Sequence, residues 1–171
     1  MIRFANINDR SDIYRLICLL ENTELNQERF DVILNTELNS DDFLILVYEE
    51  EDNICGVMEM RMTDQLHHAG RIAEIMSLYV ESDRRSKSIG KQLFQEAVRY
   101  AEKAGCIQME LNSSTWRTDA HRFYEREGMN KDHFNFTMKL NVKETEKMPF
   151  PQKRNIIAWR EEKYERTDTE N

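Results

Sequence analysis

The stretch Arg85-Ser86-Lys87-Ser88-Ile89-Gly90 separates a strand pattern from a helix pattern and so decides the organisation of this chain. Residues 72–80 before it are apolar at most positions, and residues 91–104 after it carry apolar residues at helical spacing. A strand, a short glycine-bearing loop and a helix present the free N–H groups of the helix start to an anion. Arg84, Arg85 and Lys87 add full positive charges. The stretch therefore predicts a loop that binds the phosphates of a cofactor.

Periodicity along the rest of the chain predicts strands and helices around one sheet. Ile13 and Leu16 lie on the inner face of one predicted helix, and Phe30, Ile33 and Leu34 on that of a second, at residues 27–38. Strands are predicted at residues 2–5, 43–48, 54–62, 72–80, 106–111 and 133–140, and further helices at 91–104 and from 119 onward. This order predicts an α/β fold with a central mixed β-sheet flanked by helices on both faces.

The predicted domain covers residues 1–140, and residues 141–171 are expected to be a C-terminal extension with a short helix. The extension either packs on its own domain or forms a subunit contact. The sequence therefore leaves a homodimer open.

Composition and charge argue against several classes of protein. The 171 residues suffice for one domain with a hydrophobic core, and the net charge of −8 argues against nucleic acid as a partner. No apolar run approaches the roughly 18 residues of a membrane span, and the first residues lack the pattern of a signal peptide. Cys18, Cys55 and Cys106 are odd in number and widely spaced, which indicates reduced core cysteines. We therefore expect a cytoplasmic protein with no membrane partner.

A second motif lies in the segment Asp119-Ala120-His121-Arg122-Phe123-Tyr124-Glu125-Arg126-Glu127-Gly128-Met129. It resembles the pattern A-x-x-F-Y-x-x-x-G-[FYM] of the GNAT superfamily of N-acetyltransferases. The loop at residues 85–90 resembles that superfamily's pattern Q/R-x-x-G-x-G/A, which binds the pyrophosphate of acyl-CoA. In the loop, Ser88 replaces the first glycine and Gly90 keeps the second. With both motifs in this order, the chain is similar to a GNAT domain over roughly residues 1–140.

The resemblance implies acetyl-CoA as co-substrate. Backbone groups at the end of the central strand would bind its pantetheine arm and polarise the acetyl carbonyl, at Leu78, Tyr79 and Val80. The pyrophosphate would lie on the loop and the helix start, formed by Arg85, Ser86, Lys87, Ser88, Ile89, Gly90 and Lys91. From the residues alone, the strand end is simply a core strand, and the loop can equally be a charged turn in which Ser88 caps the helix.

Acetyl transfer needs a base for the amine and a proton for the departing thiolate. Glu74 is our candidate base, because burial in the central strand would raise the pKa of its carboxyl group. The alternatives are a carboxylate paired with an arginine, a cap on a backbone amide, or a metal ligand. Tyr124 is our candidate acid or sulfur-binding residue, because the resemblance places this tyrosine beside the cofactor sulfur. From helix spacing alone, Tyr124 is instead a core residue beside Phe123.

A closer resemblance concerns the substrate. Leu66-His67-His68, the segment around Glu74, the second motif and His133-Phe134 are similar to aminoalkylphosphonate N-acetyltransferases. Those enzymes acetylate the amine of small aminoalkylphosphonic acids, and a divalent metal is implicated. The resemblance implies His67, His68 and Arg117 as substrate-binding residues, and the anionic group that Arg117 meets can be either the phosphonate or a CoA phosphate. A weak Mg²⁺, Mn²⁺ or Ni²⁺ site near the histidines is one interpretation, although no ligand spacing in the sequence supports it.

Other functions remain open from the sequence. The acceptor amine can instead belong to an amino acid such as threonine, to a polyamine or to an aminoglycoside. A CoA-binding regulator without activity is an alternative of another class, and Ser88 in place of glycine favours it. For an enzyme, we expect direct attack of the amine on the thioester in a ternary complex.

Overall fold

The strand and helix patterns of the chain fold into a five-stranded sheet with helices on both faces. The computed structural model describes residues 1–85 and 87–141. Its elements are β1 Ile2–Phe4, α1 Arg10–Glu21, α2 Gln27–Leu38, β2 Phe43–Glu50, β3 Asn53–Gln65, β4 Gly70–Val80, α3 Ile89–Lys103, β5 Cys106–Leu111 and α4 Thr118–Arg126, with short 3-10 turns at Ile7–Asp9 and Ser82–Arg84. Residues 1–135 form one compact unit. Of a second unit, residues 136–171, residues 136–141 are described and carry no helix or strand.

The strands are ordered β1-β2-β3-β4-β5 in the sheet. Each neighbouring pair among the first four strands is antiparallel. Short turns join β2 to β3 and β3 to β4, whereas α1 and α2 lie between β1 and β2 in the chain. β4 and β5 are parallel, because α3 carries the chain back to the other end of the sheet. The mixed sheet with its helices confirms the predicted fold class.

Two hydrophobic cores fill the two faces of the sheet. The apolar stripe of α3 packs on one face with side chains at most 5% exposed: Ile89, Leu93, Ala97 and Ala101. Phe123 of α4 packs against the same core. α1 and α2 cover the opposite face, where Ile13, Leu16 and Leu34 lie against β2 and β3. The inward positions predicted for Ile13 and Leu16 are thereby confirmed.

Two structural predictions from the sequence are wrong. The inward position predicted for Ile33 does not occur, since its side chain is 41% exposed and α2 buries a narrow stripe around Leu34. The last strand predicted at residues 133–140 is absent, and the apolar side chains there are at least 72% exposed: Phe134, Phe136, Met138 and Leu140. An alternating pattern specifies a strand where one face is buried against a neighbour, and these side chains are not buried.

The described residues include no helix that is both long and apolar enough to cross a membrane. The predicted extension at residues 141–171 lies outside the described residues from residue 142 onward. The domain boundary at residue 140 therefore stays a prediction.

Candidate active site

A cleft of about 1350 Å³ begins where the parallel strands β4 and β5 part. Their pairing ends at Ile75 opposite Leu111, and the chain beyond each of these residues forms a wall of the cleft. The other walls are the end of α1, the start of α3 and α4 with the turn before it. Because α1 and α3 lie on opposite faces of the sheet, the split between the strands can be reached from both faces. The carboxyl ends of parallel strands are the common place for ligands in α/β proteins.

β4 is irregular beside the cleft. Its pairing with β3 shifts between Glu59 and Met60, which leaves Met76 without a partner on β3. From Ser77 to Val80, β4 pairs with β3 alone, and its second edge faces the cleft. Alternate N–H and C=O groups of a strand point to each of its edges, so this edge can hydrogen-bond an extended ligand. The structure places three of the predicted cofactor-binding residues here: Leu78, Tyr79 and Val80.

The start of α3 presents backbone N–H groups to the cleft. Ser88 adopts the left-handed conformation, with φ 61° and ψ 14°, and its side chain makes no capping hydrogen bond. The alternative of a turn capped by the Ser88 side chain is therefore wrong. The first intrahelical bond runs from Gln92 N to Ser88 O at 3.0 Å, which leaves three cleft-lining residues without an intrahelical acceptor for their N–H groups: Ile89, Gly90 and Lys91. This positive helix end suits a phosphate.

Arg85 is held on the cleft wall by two contacts. Its Nε donates to Val80 O at 3.1 Å, and its guanidinium lies over the ring of Tyr79, 5.4 Å from the centroid. Both contacts tie the loop to the end of β4. Ser86, predicted to bind the cofactor, lies outside the described residues.

Glu50 offsets the charge of the other two basic residues in the loop. Arg84 Nη1 donates to Glu50 Oε2 at 2.5 Å, and Lys87 Nζ lies 3.6 Å from the same oxygen. Neither basic residue lines the cleft. A phosphate at this loop would therefore compete with Glu50 for Arg84 and Lys87.

Tyr124 lies in the cleft on the side of the sheet that carries α3. Its ring packs near those of Phe94 and Phe123, with centroids 6.3 and 5.2 Å away. Burial raises the pKa of Tyr124 to about 12, and the positive charge of Arg117 lowers it in part. The phenol is therefore neutral at physiological pH and can donate a hydrogen bond to a ligand. Tyr124 thus packs beside Phe123, as its helix spacing predicted, and also lines the cleft, while its role toward the cofactor sulfur stays a prediction.

Glu74 does not line the cleft and immediately precedes Ile75, the first residue of β4 that does. Its Oε2 accepts a hydrogen bond from Arg61 Nη2 at 2.6 Å, and its Oε1 accepts one from Asn112 Nδ2 at 3.2 Å. Asn112 itself lines the cleft. The pairing with an arginine, which the sequence left open, is thus the arrangement in the structure. Arg61 and Asn112 therefore each occupy one oxygen of the Glu74 carboxylate.

Arg117 joins the end of α1 to the start of α4 at one end of the cleft. Its Nη2 donates to Leu20 O at 3.0 Å and lies 3.2 Å from Glu21 Oε1. Its guanidinium stacks on Trp116, 5.0 Å from the ring centroid. All four residues line the cleft. The predicted substrate-binding arginine is therefore at the site, with part of its donor capacity already used by the protein.

His67 and His68 lie outside the cleft, in the turn between β3 and β4. Their rings are 4.1 Å apart. Since a strand advances about 3.3 Å per residue, the turn lies roughly 16 Å along β4 from Ile75, where the cleft begins. The structure does not bring these predicted substrate-binding residues together with Tyr124 or the loop of Arg85.

A metal site does not fit the part of the chain that the structure describes. Within residues 1–85 and 87–141, no group of three or more His, Cys, Asp or Glu side chains could hold a metal ion. The histidine turn, where the sequence allowed a weak site, therefore lacks the ligands for one among the described residues.

Glu59, which contacts a residue of the cleft, adds acid–base chemistry that sequence reasoning missed. Ser77, which lines the cleft, donates its hydroxyl to Glu59 Oε2 at 2.8 Å. Burial raises the pKa of Glu59, and burial together with the charge of Glu59 raises the pKa of Glu37 to about 7. The signal in the sequence was Glu59 between apolar neighbours in β3, with Val57 and Met58 before it and Met60 after it. Its alignment with Ser77 depends on the β3–β4 register, which the sequence does not show.

Known proteins share these motifs and this fold. The sequence model of the Acetyltransferase (GNAT) family matches residues 10–129. The chain belongs to the GNAT acetyltransferase family. It is therefore an acyltransferase. The aminoalkylphosphonate N-acetyltransferase of Salmonella typhimurium is 35% identical over 139 residues, which cover 81% of this chain and 90% of that protein.

Solved structures resemble this GNAT protein in fold. A transcriptional regulator from Bacillus halodurans has a TM-score of 0.75 at 22% identity, with 82% of this chain and 99% of that chain covered. Glucosamine-6-phosphate N-acetyltransferase from Arabidopsis thaliana has a TM-score of 0.69 at 24% identity, with 82% and 98% covered. At these identities the likeness shows the fold alone.

Proposed function

We propose that this GNAT protein transfers the acetyl group of acetyl-CoA to the primary amine of a small acidic metabolite, with an aminoalkylphosphonate as the favoured acceptor. One observation supports the transfer: the start of α3, the free edge of β4 and Tyr124 all line a single cleft. The acceptor is inferred from the Salmonella relative, whose name states that substrate.

The phosphates of acetyl-CoA would lie at the start of α3. The N–H groups of Ile89, Gly90 and Lys91 and the guanidinium of Arg85 supply hydrogen bonds and positive charge there. The pantetheine arm would extend along the free edge of β4, which offers backbone groups from Leu78 to Val80. This course brings the thioester into the split between β4 and β5.

Tyr124 would stabilise the departing sulfur. A thiol has a pKa of about 8.5 whereas the pKa of Tyr124 is raised to about 12, so full proton transfer from the phenol would be uphill by about 5 kcal/mol. A hydrogen bond from the neutral phenol to the thiolate carries no such penalty. We therefore assign Tyr124 the sulfur-binding part of its predicted role.

The acceptor would enter from the face of the sheet that carries α1. The end of α1 and Arg117 line this end of the cleft, and Ser77 lies on the strand between them and the thioester. The acidic group of the acceptor would use donors of Arg117. Glu74 stays in the proposal as the residue that orients Asn112 in the cleft wall.

The decisive experiment measures thiol release from acetyl-CoA by the purified protein against aminoalkylphosphonates, amino acids, polyamines and aminoglycosides, with and without EDTA. We expect turnover of an aminoalkylphosphonate. Turnover of another amine would keep the acetyltransferase and replace the acceptor. Binding of acetyl-CoA without turnover of any amine would contradict the proposal and favour a CoA-binding regulator. Loss of turnover in EDTA would require a metal site that the described residues do not form.

A further inference from the structure

Glu59 and Ser77 form a hydrogen-bonded pair that the proposed reaction has not used. They are direct partners across β3 and β4, and the Ser77 hydroxyl donates to Glu59 Oε2 at 2.8 Å. Ser77 lines the cleft, whereas Glu59 lies behind it and is partly buried. The Ser77 hydroxyl thus lies between the cleft and the Glu59 carboxylate. A ligand in the cleft can contact this hydroxyl while Glu59 stays in place behind it.

The charged surroundings of Glu59 differ from those of Glu74. Glu74 is bound to Arg61 at 2.6 Å, so a full positive charge compensates its carboxylate. The hydrogen-bond partner of Glu59 is the neutral Ser77, and Arg61 of the same strand acts on it as a more distant charge. From α2, Glu37 adds a negative charge to the surroundings of Glu59. A carboxylate that is desolvated and lacks a close cation is the better proton acceptor.

We propose that Ser77 contacts the acceptor's amino group and passes its proton to Glu59, which is the proton acceptor of the reaction behind the cleft wall. This inference rests on the proposed acetyl transfer and names the residues that make the amine reactive. Glu59 does not touch the substrate and acts only through the Ser77 hydroxyl, which it also holds in position.

The step balances as two proton transfers. One N–H bond of the ammonium breaks, its electron pair stays on nitrogen, and the proton moves to Ser77 Oγ while the hydroxyl proton of Ser77 moves to the Glu59 carboxylate. The neutral amine then forms the C–N bond at the thioester carbon, and the C–S bond breaks with its electron pair on sulfur. The second N–H proton ends on the thiol, and Glu59 returns its proton to water.

The pKa directions agree with this assignment. Burial raises the pKa of Glu59, and the hydrogen bond from Ser77 and the charge of Arg61 lower it in part, so the net effect of its surroundings makes this carboxylate a stronger base. Burial and the charge of Glu59 raise the pKa of Glu37 to about 7. The rate should therefore rise with pH as the Glu59 carboxyl group ionises.

The test compares Glu59→Gln and Ser77→Ala with wild type, using the amine that the wild-type protein turns over best. General-base catalysis contributes about 10²–10⁴-fold, so we expect Glu59→Gln to lower kcat by at least about 100-fold with KM for acetyl-CoA unchanged. Its acid limb in the pH–rate profile should vanish, because a glutamine does not titrate. Ser77→Ala should also lower kcat. Ser77→Thr, which keeps a hydroxyl at this position, should retain most of the wild-type kcat.

Two controls separate this role from a structural one. Glu110→Gln makes the same change on β5, at a glutamate that does not line the cleft, and should leave kcat and the pH profile unchanged. Glu37→Gln removes the carboxyl group whose pKa is about 7, so an acid limb that remains in this variant belongs to Glu59. If Glu59→Gln does not fold, the comparison of Ser77→Ala with Ser77→Thr tests the proposal instead.

Two failures are distinguishable. If wild type releases no thiol with any amine, the proposed function is wrong and the inference falls with it. If wild type is active and Glu59→Gln or Ser77→Ala keeps its kcat within about twofold with the same pH profile, the acetyl transfer stands and the Glu59–Ser77 route is overturned.

Discussion

Arg61 and Glu74 face each other across β3 and β4, with Arg61 Nη2 2.6 Å from Glu74 Oε2. The pair lies beside the split between β4 and β5, and Asn112 extends it into the cleft wall. A compensated carboxylate of this kind fixes the geometry of its neighbours better than it accepts a proton. Glu74 was predicted as the base from its place in the central strand. Its surroundings instead favour a role in orienting Asn112.

Glu74→Gln should change the kinetics modestly. The amide oxygen of glutamine can still accept the hydrogen bond from Asn112, and partly exposed ion pairs contribute about 0.2–1 kcal/mol, so we expect less than about a fivefold change in kcat and in KM for the amine. Steady-state kinetics of the variant and wild type check this. If the variant instead turns over about 100-fold more slowly, Glu74 is the base and the route through Glu59 is contradicted.

Sequence reasoning reached the elements that local patterns specify. The glycine-bearing loop at residues 85–90 and the helical spacing of residues 91–104 predicted a helix start beside a strand end, and the cleft lies there. Contacts that depend on the register between strands could not be predicted from the sequence. The alignment of Glu59 with Ser77 and of Arg61 with Glu74 follows from a shift in pairing opposite Met76, and a shift of one residue is invisible in one strand read alone.

Tyr124→Phe should lower kcat by about 10- to 100-fold, since hydrogen bonds to charged groups contribute about 1.5–3 kcal/mol. Because burial raises the pKa of Tyr124 to about 12, ionisation of the phenol should not reduce the wild-type rate at any pH below about 10. Rate measurements between about pH 6 and about pH 10 and a spectroscopic titration of tyrosinate check both statements. Tyr100→Phe on α3, outside the cleft, is the matched control.

A normal kcat in Tyr124→Phe would show that the sulfur leaves without help from the phenol. A rate that falls in wild type between roughly pH 8 and 10, and not in Tyr124→Phe, would show that the phenol titrates lower than its burial implies.

Ser88→Gly should stabilise the fold. The left-handed conformation of Ser88 costs about 1–2 kcal/mol for a residue with a Cβ, and the added freedom of glycine in the unfolded chain returns about 0.5–1 kcal/mol of that. We expect a net gain of up to about 1 kcal/mol, or an increase in Tm of about 2–4 °C. Thermal unfolding without cofactor measures it. Ser88→Ala keeps the strained Cβ and should show no gain, and an equal gain in both variants would trace the effect to the lost hydroxyl instead.

Glu50→Gln should tighten the binding of acetyl-CoA. Glu50 accepts from Arg84 at 2.5 Å and lies 3.6 Å from Lys87 Nζ, so it competes with the cofactor phosphates for both cations. Ion pairs at this exposure contribute about 0.2–1 kcal/mol, which corresponds to a decrease in Kd of up to about fivefold. Calorimetric titration with acetyl-CoA checks the value, and at about 1 M salt, where the Debye length is near 3 Å, the gain should vanish.

The matched control for this change is Glu51→Gln, which removes the same charge from the neighbouring turn at a residue with no contact to Arg84 or Lys87 in the described residues. If both variants tighten binding equally, the effect is one of net charge. If Glu50→Gln weakens binding, Glu50 holds Arg84 and Lys87 in place for the cofactor and does not compete with it. A gain confined to Glu50→Gln would identify this carboxylate as the group that occupies the basic residues of the loop until the phosphates bind.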